Sequence, residues 1–169
     1  MRVTTCDEAE LDARAYRDCL GRFATGITVI TTCAANGSLV GVTVNSLCSV
    51  SLNPPLVLFA LDRQAFSLAA FRTTRAFAIN VLAEGQEDLS RRFAQVRADK
   101  WTGTNHVIGR LECPLLDGAI ATLECRMHAQ YDGGDHVLFM GRVIHAAWEG
   151  DAKTLLYYQS RYHRLACAS

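Results

Sequence analysis

Residues 26–61 read GITVITTCAANGSLVGVTVNSLCSVSLNPPLVLFAL, and this run decides the fold. Gly26–Thr32 is rich in Ile, Val and Thr, residues that suit a pleated strand. Asn36-Gly37 tolerates the positive φ of a tight hairpin turn, and Leu39–Asn45 reads as the returning strand. Pro54-Pro55 cannot donate ladder hydrogen bonds, so it ends a loop over Ser46–Asn53 and aims the chain into another strand. That strand, Leu56–Leu61, is apolar at every position, the pattern of a strand buried on both faces.

Upstream, Leu11, Ala15, Cys19, Leu20 and Phe23 recur at helical steps, so the pattern predicts an amphipathic helix over Ala9–Ala24, ended by Gly26. Downstream it predicts a short helix over Ala65–Arg72, a strand over Phe77–Leu82, and a second helix over Gln86–Gln95 with Leu89 and Phe93 on one side. Arg97–Pro114 is polar and mixed, and reads as an irregular excursion. Ala119–Tyr131 and His136–Trp148 are two long strands parted by Asp132-Gly133-Gly134-Asp135, a turn signal. Leu155–Leu165 is strand or loop. Six or so hairpin-joined strands with few helices predict a mainly β fold, an antiparallel barrel with peripheral helices. No repeat or linker divides the chain, so residues 1–169 read as one domain, with a helical segment at about 9–24 and a barrel at about 25–165.

Composition narrows the function. Seventeen basic residues cancel seventeen acidic ones, which argues against binding to nucleic acid or to an anionic membrane surface. Zero net charge also favours self-association mildly. No apolar run approaches the ~20 residues of a transmembrane helix, and no signal-peptide block opens the chain, so a cytoplasmic location is expected. Seven cysteines are present; they are odd in number, widely spaced and without a C-x-x-C pair, and read as reduced thiols packed as small hydrophobes. His106, His128, His145 and His163 lack ligand-like spacing, so no metal is expected. G-x-G-x-x-G, the P-loop and the G-x-S-x-G elbow are all absent.

Three places could carry chemistry. Gly41–Ser51 puts hydroxyls and an amide on a strand–loop edge, where backbone N–H groups and adaptable side chains could meet a flat heteroaromatic ring. The alternative is an edge strand whose hydroxyls face water. Arg63, Gln64 and Ser67 precede a helix whose N-terminus favours phosphate, although a Ser there also serves as a plain N-cap. Gly133-Gly134-Asp135-His136 sets an imidazole at a turn, either solvated or placed at the mouth of a ring site.

Several motifs together resemble the short-chain flavin reductases, the small components of two-component flavin-dependent monooxygenases. They are Y-R-D-C-L-G-R-F-A-T-G-I-T-V-I-T-T at Tyr16–Thr32, T-V-N-S-L-C-S-V-S-L-N-P-P-L-V at Thr43–Val57, and F-A-I-N-V-L at Phe77–Leu82. L-E-C-R at Leu123–Arg126, G-D-H at Gly134–His136 and L-L-Y-Y-Q-S-R-Y at Leu155–Tyr162 follow in the family's order. The resemblance implies a split β-barrel of the flavin-reductase-like, FMN-binding type. It implies a homodimer with the flavin near the subunit interface, and reduction of free FAD or FMN by NADH or NADPH. Reduced flavin would pass by diffusion to a partner monooxygenase. Carried over residue by residue, Thr43, Val44, Asn45, Ser46 and Leu47 would line the isoalloxazine ring, with Ser49, Val50 and Ser51 nearby. Gln64 and Ser67 would lie by the ribityl chain or phosphate. Asp135 and His136 would contact the reduced nicotinamide nucleotide, assisted by Tyr158 and Arg161. Two positions depart from the pattern: Cys48, where relatives often carry another small or polar residue, and Gln159-Ser160, where they often carry Arg-Gly.

No acid, base or nucleophile is required of such a protein, because the flavin itself accepts the hydride and the chain supplies orientation and electrostatics. His136 would position the nicotinamide. A non-catalytic flavin-binding module, either sensor or carrier, is the nearest rival. A structural or oligonucleotide-binding barrel is a more distant one, for want of a basic, aromatic-studded face.

Overall fold

The computed structural model describes residues 12–96 and 99–166. Helix α1 (Ala13–Leu20) precedes β1 (Thr25–Gly26), β2 (Thr28–Cys33), β3 (Leu39–Val44), β4 (Cys48–Leu52) and β5 (Pro55–Asp62). Helix α2 (Leu68–Thr73), β6 (Ala76–Val81) and α3 (Glu87–Ala94) follow. The chain then runs through β7 (His106–Ile108), β8 (Pro114–Leu116), β9 (Ala121–Gly133), β10 (His136–Trp148), β11 (Leu156–Tyr158) and β12 (Arg161–His163).

Seven strands form one antiparallel sheet in the order β3-β2-β6-β9-β10-β5-β4. Beyond β3 the chain crosses to the opposite side of the sheet, where one side chain ties it to β5. Ser46, between β3 and β4, accepts a hydrogen bond from Ala60 N at 3.0 Å and donates to Ala60 O at 3.3 Å. A hydroxyl there stands in for a ladder rung, so the barrel is split and its seam is thin.

The concave side holds the larger core. Phe59 meets Phe71 and Phe77 edge-on at 5.7 and 5.1 Å and stacks on Phe139 at 5.2 Å, favoured arrangements for aromatic pairs. Ile30, Val44, Val57, Ile79, Cys125 and Val137 fill the gaps. A second cluster lies across β2, where Val29, Leu82, Phe93, Leu116 and Leu155 pack. Fully buried Asn80 ties it down: Nδ2 donates to Val29 O at 3.0 Å, and Oδ1 accepts from Leu116 N at 2.8 Å. Burial pushes the Cys113 and Cys125 thiols up to about 12, so both stay protonated and act as small hydrophobes.

Four expectations need correction. Within the described residues the first helix spans Ala13–Leu20, with Asp12 accepting from Arg14 N and Ala15 N and with Gly21, not Gly26, as its C-cap; Ala9–Leu11 lie outside them. None of its residues is buried, and Tyr16 and Leu20 are both more than half exposed. The supposed loop Ser46–Asn53 contains β4, which pairs with β5 and carries a bulge between Ser49 and Ser51. Leu56–Leu61 is fully buried on one face only: Val57, Phe59 and Leu61 are buried, while Leu56, Leu58 and Ala60 are half-buried. The excursion 97–114 holds β7 and leads into β8, a small hairpin. The tail, left open as strand or loop, is a strand hairpin turning on Gln159 and Ser160, both at positive φ.

Candidate functional site

The C-terminal end of β5 gathers most of the residues implicated by sequence. His136 pairs with Asp62, and Leu138 pairs with Ala60, which Ser46 grips from the other side. Gln64 N donates to Asp62 Oδ1 at 2.7 Å, fixing the turn out of the strand. Arg63 N donates to Asp135 O at 2.9 Å. Ser46, Gln64, Ser67, Asp135 and His136 thus share one neighbourhood.

The hydroxyl-rich segment divides its labour. The Thr43 hydroxyl donates to Ser90 O of α3 at 2.7 Å, and Val44 O accepts from the Thr28 hydroxyl at 3.1 Å. Val44 lies in the core and Leu47 packs against it. Asn45, Cys48, Ser49 and Val50 are exposed, and Ser51 is half-buried. The Cys48 thiol donates to Ser49 O. The segment is therefore a rigid shelf: Thr43, Val44, Ser46 and Leu47 fasten it, while Asn45 and residues 48–50 face outward.

Beside the shelf lies a groove of about 570 Å³, walled by β3, α2 and the segment beyond α3. Ligand pockets run ~300–1,000 Å³ and are mostly apolar with a few polar groups. Val40, Val42, Ala69 and Trp101 supply the apolar wall. Ser67 lines the groove at the N-cap position of α2, yet its side chain makes no capping bond. Lys100 also lines it, with Nζ donating to Phe93 O at 2.8 Å and Gly41 O at 3.2 Å. Among the described residues it joins no ion pair, and partial burial lowers its pKa. Lys100 and Trp101 carried no sequence signal, since they sit in a stretch without periodicity.

The G-D-H residues occupy a two-residue hairpin loop between Gly133 and His136, with Gly134 at φ 77°. His136 Nδ1 lies 2.7 Å from Asp135 Oδ1, and a hydrogen bond with this imidazole holds the Asp135 carboxyl below its ordinary value. Arg63, read from sequence as an anion contact, has its guanidinium engaged: Nε donates to Gly134 O at 2.7 Å, and the other arm pairs with Asp132. Tyr158 and Arg161 stand elsewhere. Their hairpin pairs with β1, and β2, which follows β1, begins at Thr28 opposite Val81, itself opposite Ala121 at the start of β9. Gly133 ends β9, 12 residues on, roughly 40 Å along the strand at ~3.3 Å per residue. The route across the seam is shorter: Thr28 faces Val44, and Ser46 bonds Ala60, two residues from Asp62, the partner of His136.

A family model described as "Flavin reductase like domain" matches residues 20–166. The reductase subunit HsaB of a flavin-dependent monooxygenase from Rhodococcus jostii (strain RHA1) is 38% identical over 152 residues, 90% of this chain and 77% of that protein. A Rhizobium meliloti protein named a probable flavin reductase is 42% identical over 132 residues; the match takes in 78% of this chain and only 42% of that protein's length. Among solved structures, the NADH:FAD oxidoreductase SgcE6 of Streptomyces globisporus C-1027, in complex with NAD and FAD fragments, superposes with a TM-score of 0.91. It is 36% identical, with 98% of each chain covered.

Proposed function

The chain belongs to the flavin reductase-like domain family, and on that premise we propose that it is an NAD(P)H:flavin oxidoreductase. It takes FAD or FMN and NADH or NADPH, and supplies reduced flavin to a partner monooxygenase in the cytoplasm. The observation that carries this reading is the convergence at the end of β5, where the shelf, the 64–67 loop and the G-D-H turn meet. The groove fits the cofactor chemically. Its apolar wall suits the dimethylbenzene side of the ring system, and Ser67 and Lys100 suit a phosphate. Bound there, flavin supplies the two-electron acceptor.

The chain's own part is to hold and orient. Backbone groups of Thr43, Val44, Asn45, Ser46 and Leu47, with Ser49, Val50 and Ser51, border the ring. Gln64 and Ser67 face the ribityl chain and phosphate. Asp135 and His136 orient the nucleotide. A shallow site of neutral hydroxyls also lets its product leave, as a carrier of reduced flavin must.

The same reading makes the protein a homodimer, in which Tyr158 and Arg161 of a second copy complete the nucleotide site. One observation supports this. The outer face of the β5–β10–β9 ladder is apolar: Leu58, Met140 and Ala129 form one cross-strand row, and Ala60, Leu138 and Tyr131 form the next.

The test is steady-state oxidation of each nucleotide with each flavin. Continuous decay of nucleotide absorbance with substoichiometric protein is expected in at least one of the four mixtures. A single stoichiometric reduction, or none, would instead mark a flavin-binding module.

A further inference from the structure

We propose that Arg63 is a positioning residue: it fixes the Gly134–His136 turn against the loop leaving β5 and so sets where the reduced nicotinamide nucleotide sits. This rests on the reading that Asp135 and His136 meet that nucleotide. Three contacts carry it. Arg63 N donates to Asp135 O at 2.9 Å, Nε donates to Gly134 O at 2.7 Å, and the guanidinium pairs with Asp132. Asp132 Oδ1 in turn accepts from Gly134 N at 3.1 Å, so the arginine grips both the turn and the side chain that closes it. Its own side chain is 39% exposed, against 78% for Asp132 and 90% for Asp135: the brace is better anchored than what it braces. The residues that follow are fixed too, with Ala65 N donating to Asp62 O and Ser67 lining the groove. One residue therefore joins the flavin side of the site to the nucleotide side. The guanidinium serves the Gly134 carbonyl and the Asp132 carboxylate from two separate nitrogens held in one plane, whereas an ammonium donates from a single atom.

Steady-state kinetics of the full chain with Arg63→Gln, Asp132→Asn and Arg63→Lys test this. Arg63→Gln should raise the KM for the nucleotide about fivefold to tenfold, with the flavin KM changed less than about twofold. Asp132→Asn, at an exposed position that tolerates change, should raise the nucleotide KM in the same direction. The double variant should fall short of the product of the two effects. Arg63→Lys should recover only part of the loss. Full recovery would show that charge alone suffices and would overturn the proposal, as would equal rises in both KM values. His136→Ala separates the two layers. An unmoved nucleotide KM in His136→Ala sinks the reading of the turn and this proposal with it. A raised KM there, with none in Arg63→Gln, overturns the role of Arg63 alone.

Discussion

Two hairpins with equally short loops carry the residues proposed to meet the nucleotide, and they are held in opposite ways. The turn at Gly134 uses a glycine at its positive-φ position (φ 77°) and is fixed by surface charge through Arg63 and Asp132. The turn at Gln159-Ser160 places two residues with side chains at φ 49° and 59° and is fixed by packing. There Tyr157 and Tyr162 meet edge-on at 5.6 Å, the Tyr162 hydroxyl lies 2.9 Å from Ser90 Oγ, and Gln159 N donates to Gly21 O. The left-handed region costs a residue with a Cβ roughly 1–2 kcal/mol. The first turn is thus relaxed but lightly held, and the second is strained but anchored to a core. A local geometry persists under strain only where its surroundings over-determine it.

Removing the anchor should have the largest effect. Tyr162→Ala deletes the ring against Tyr157 and the bond to Ser90, and should destabilise the protein by about 3 kcal/mol in urea unfolding. Tyr162→Phe should cost only ~1 kcal/mol. Next, Gly134→Ala imposes a side chain at positive φ with no heavy atom within 4 Å of the new Cβ. The penalty is conformational alone, about 1–2 kcal/mol in the same assay. Ser160→Gly runs the other way and should stabilise by up to ~1 kcal/mol, since relief of strain exceeds the added chain entropy. A loss there would mean that the tail turn is not strained.

The smallest effect follows pH. The hydrogen bond from Arg63 holds the Asp132 carboxyl below its ordinary 3.8. A carboxyl with a lowered folded-state pKa contributes stability that is present above the ordinary value and lost as the pH falls through the lowered one. Acidification below about pH 3.8 should therefore loosen the Gly134 turn and leave the tail turn untouched. NMR titration checks this: the amide signals of Gly134 and Asp135 should follow the Asp132 carboxyl, and those of Gln159 and Ser160 should not.

Much of this fold is legible in the sequence, because period-two patterning and turn chemistry are local. Asn36-Gly37, the double proline and Asp132–Asp135 mark three chain reversals that the structure contains. Residues 48–52 escaped as a strand because an edge strand faces the solvent and carries hydroxyls where a central strand carries Val and Ile. Leu56–Leu61 misled for the converse reason: its outer face is as apolar as a core yet only half-buried. In the site, the hydroxyl segment and the G-D-H turn stood out as short motifs. Lys100 and Trp101 did not, because their meaning comes from a fold that sets them against β3. The brace of Arg63 was illegible for the same cause, since its partner lies 69 positions away.

The seam at Ser46 has a thermodynamic consequence. Where β3 approaches β5, no ladder closes the gap, and the Ser46 hydroxyl bridges it with one or two hydrogen bonds, roughly 1–3 kcal/mol. β3 itself stays paired with β2 along Leu39–Val44, and Val44 stays in the core. Opening at the seam is therefore confined to the residues that link β3 to β4, and it costs far less than stripping a strand from the sheet.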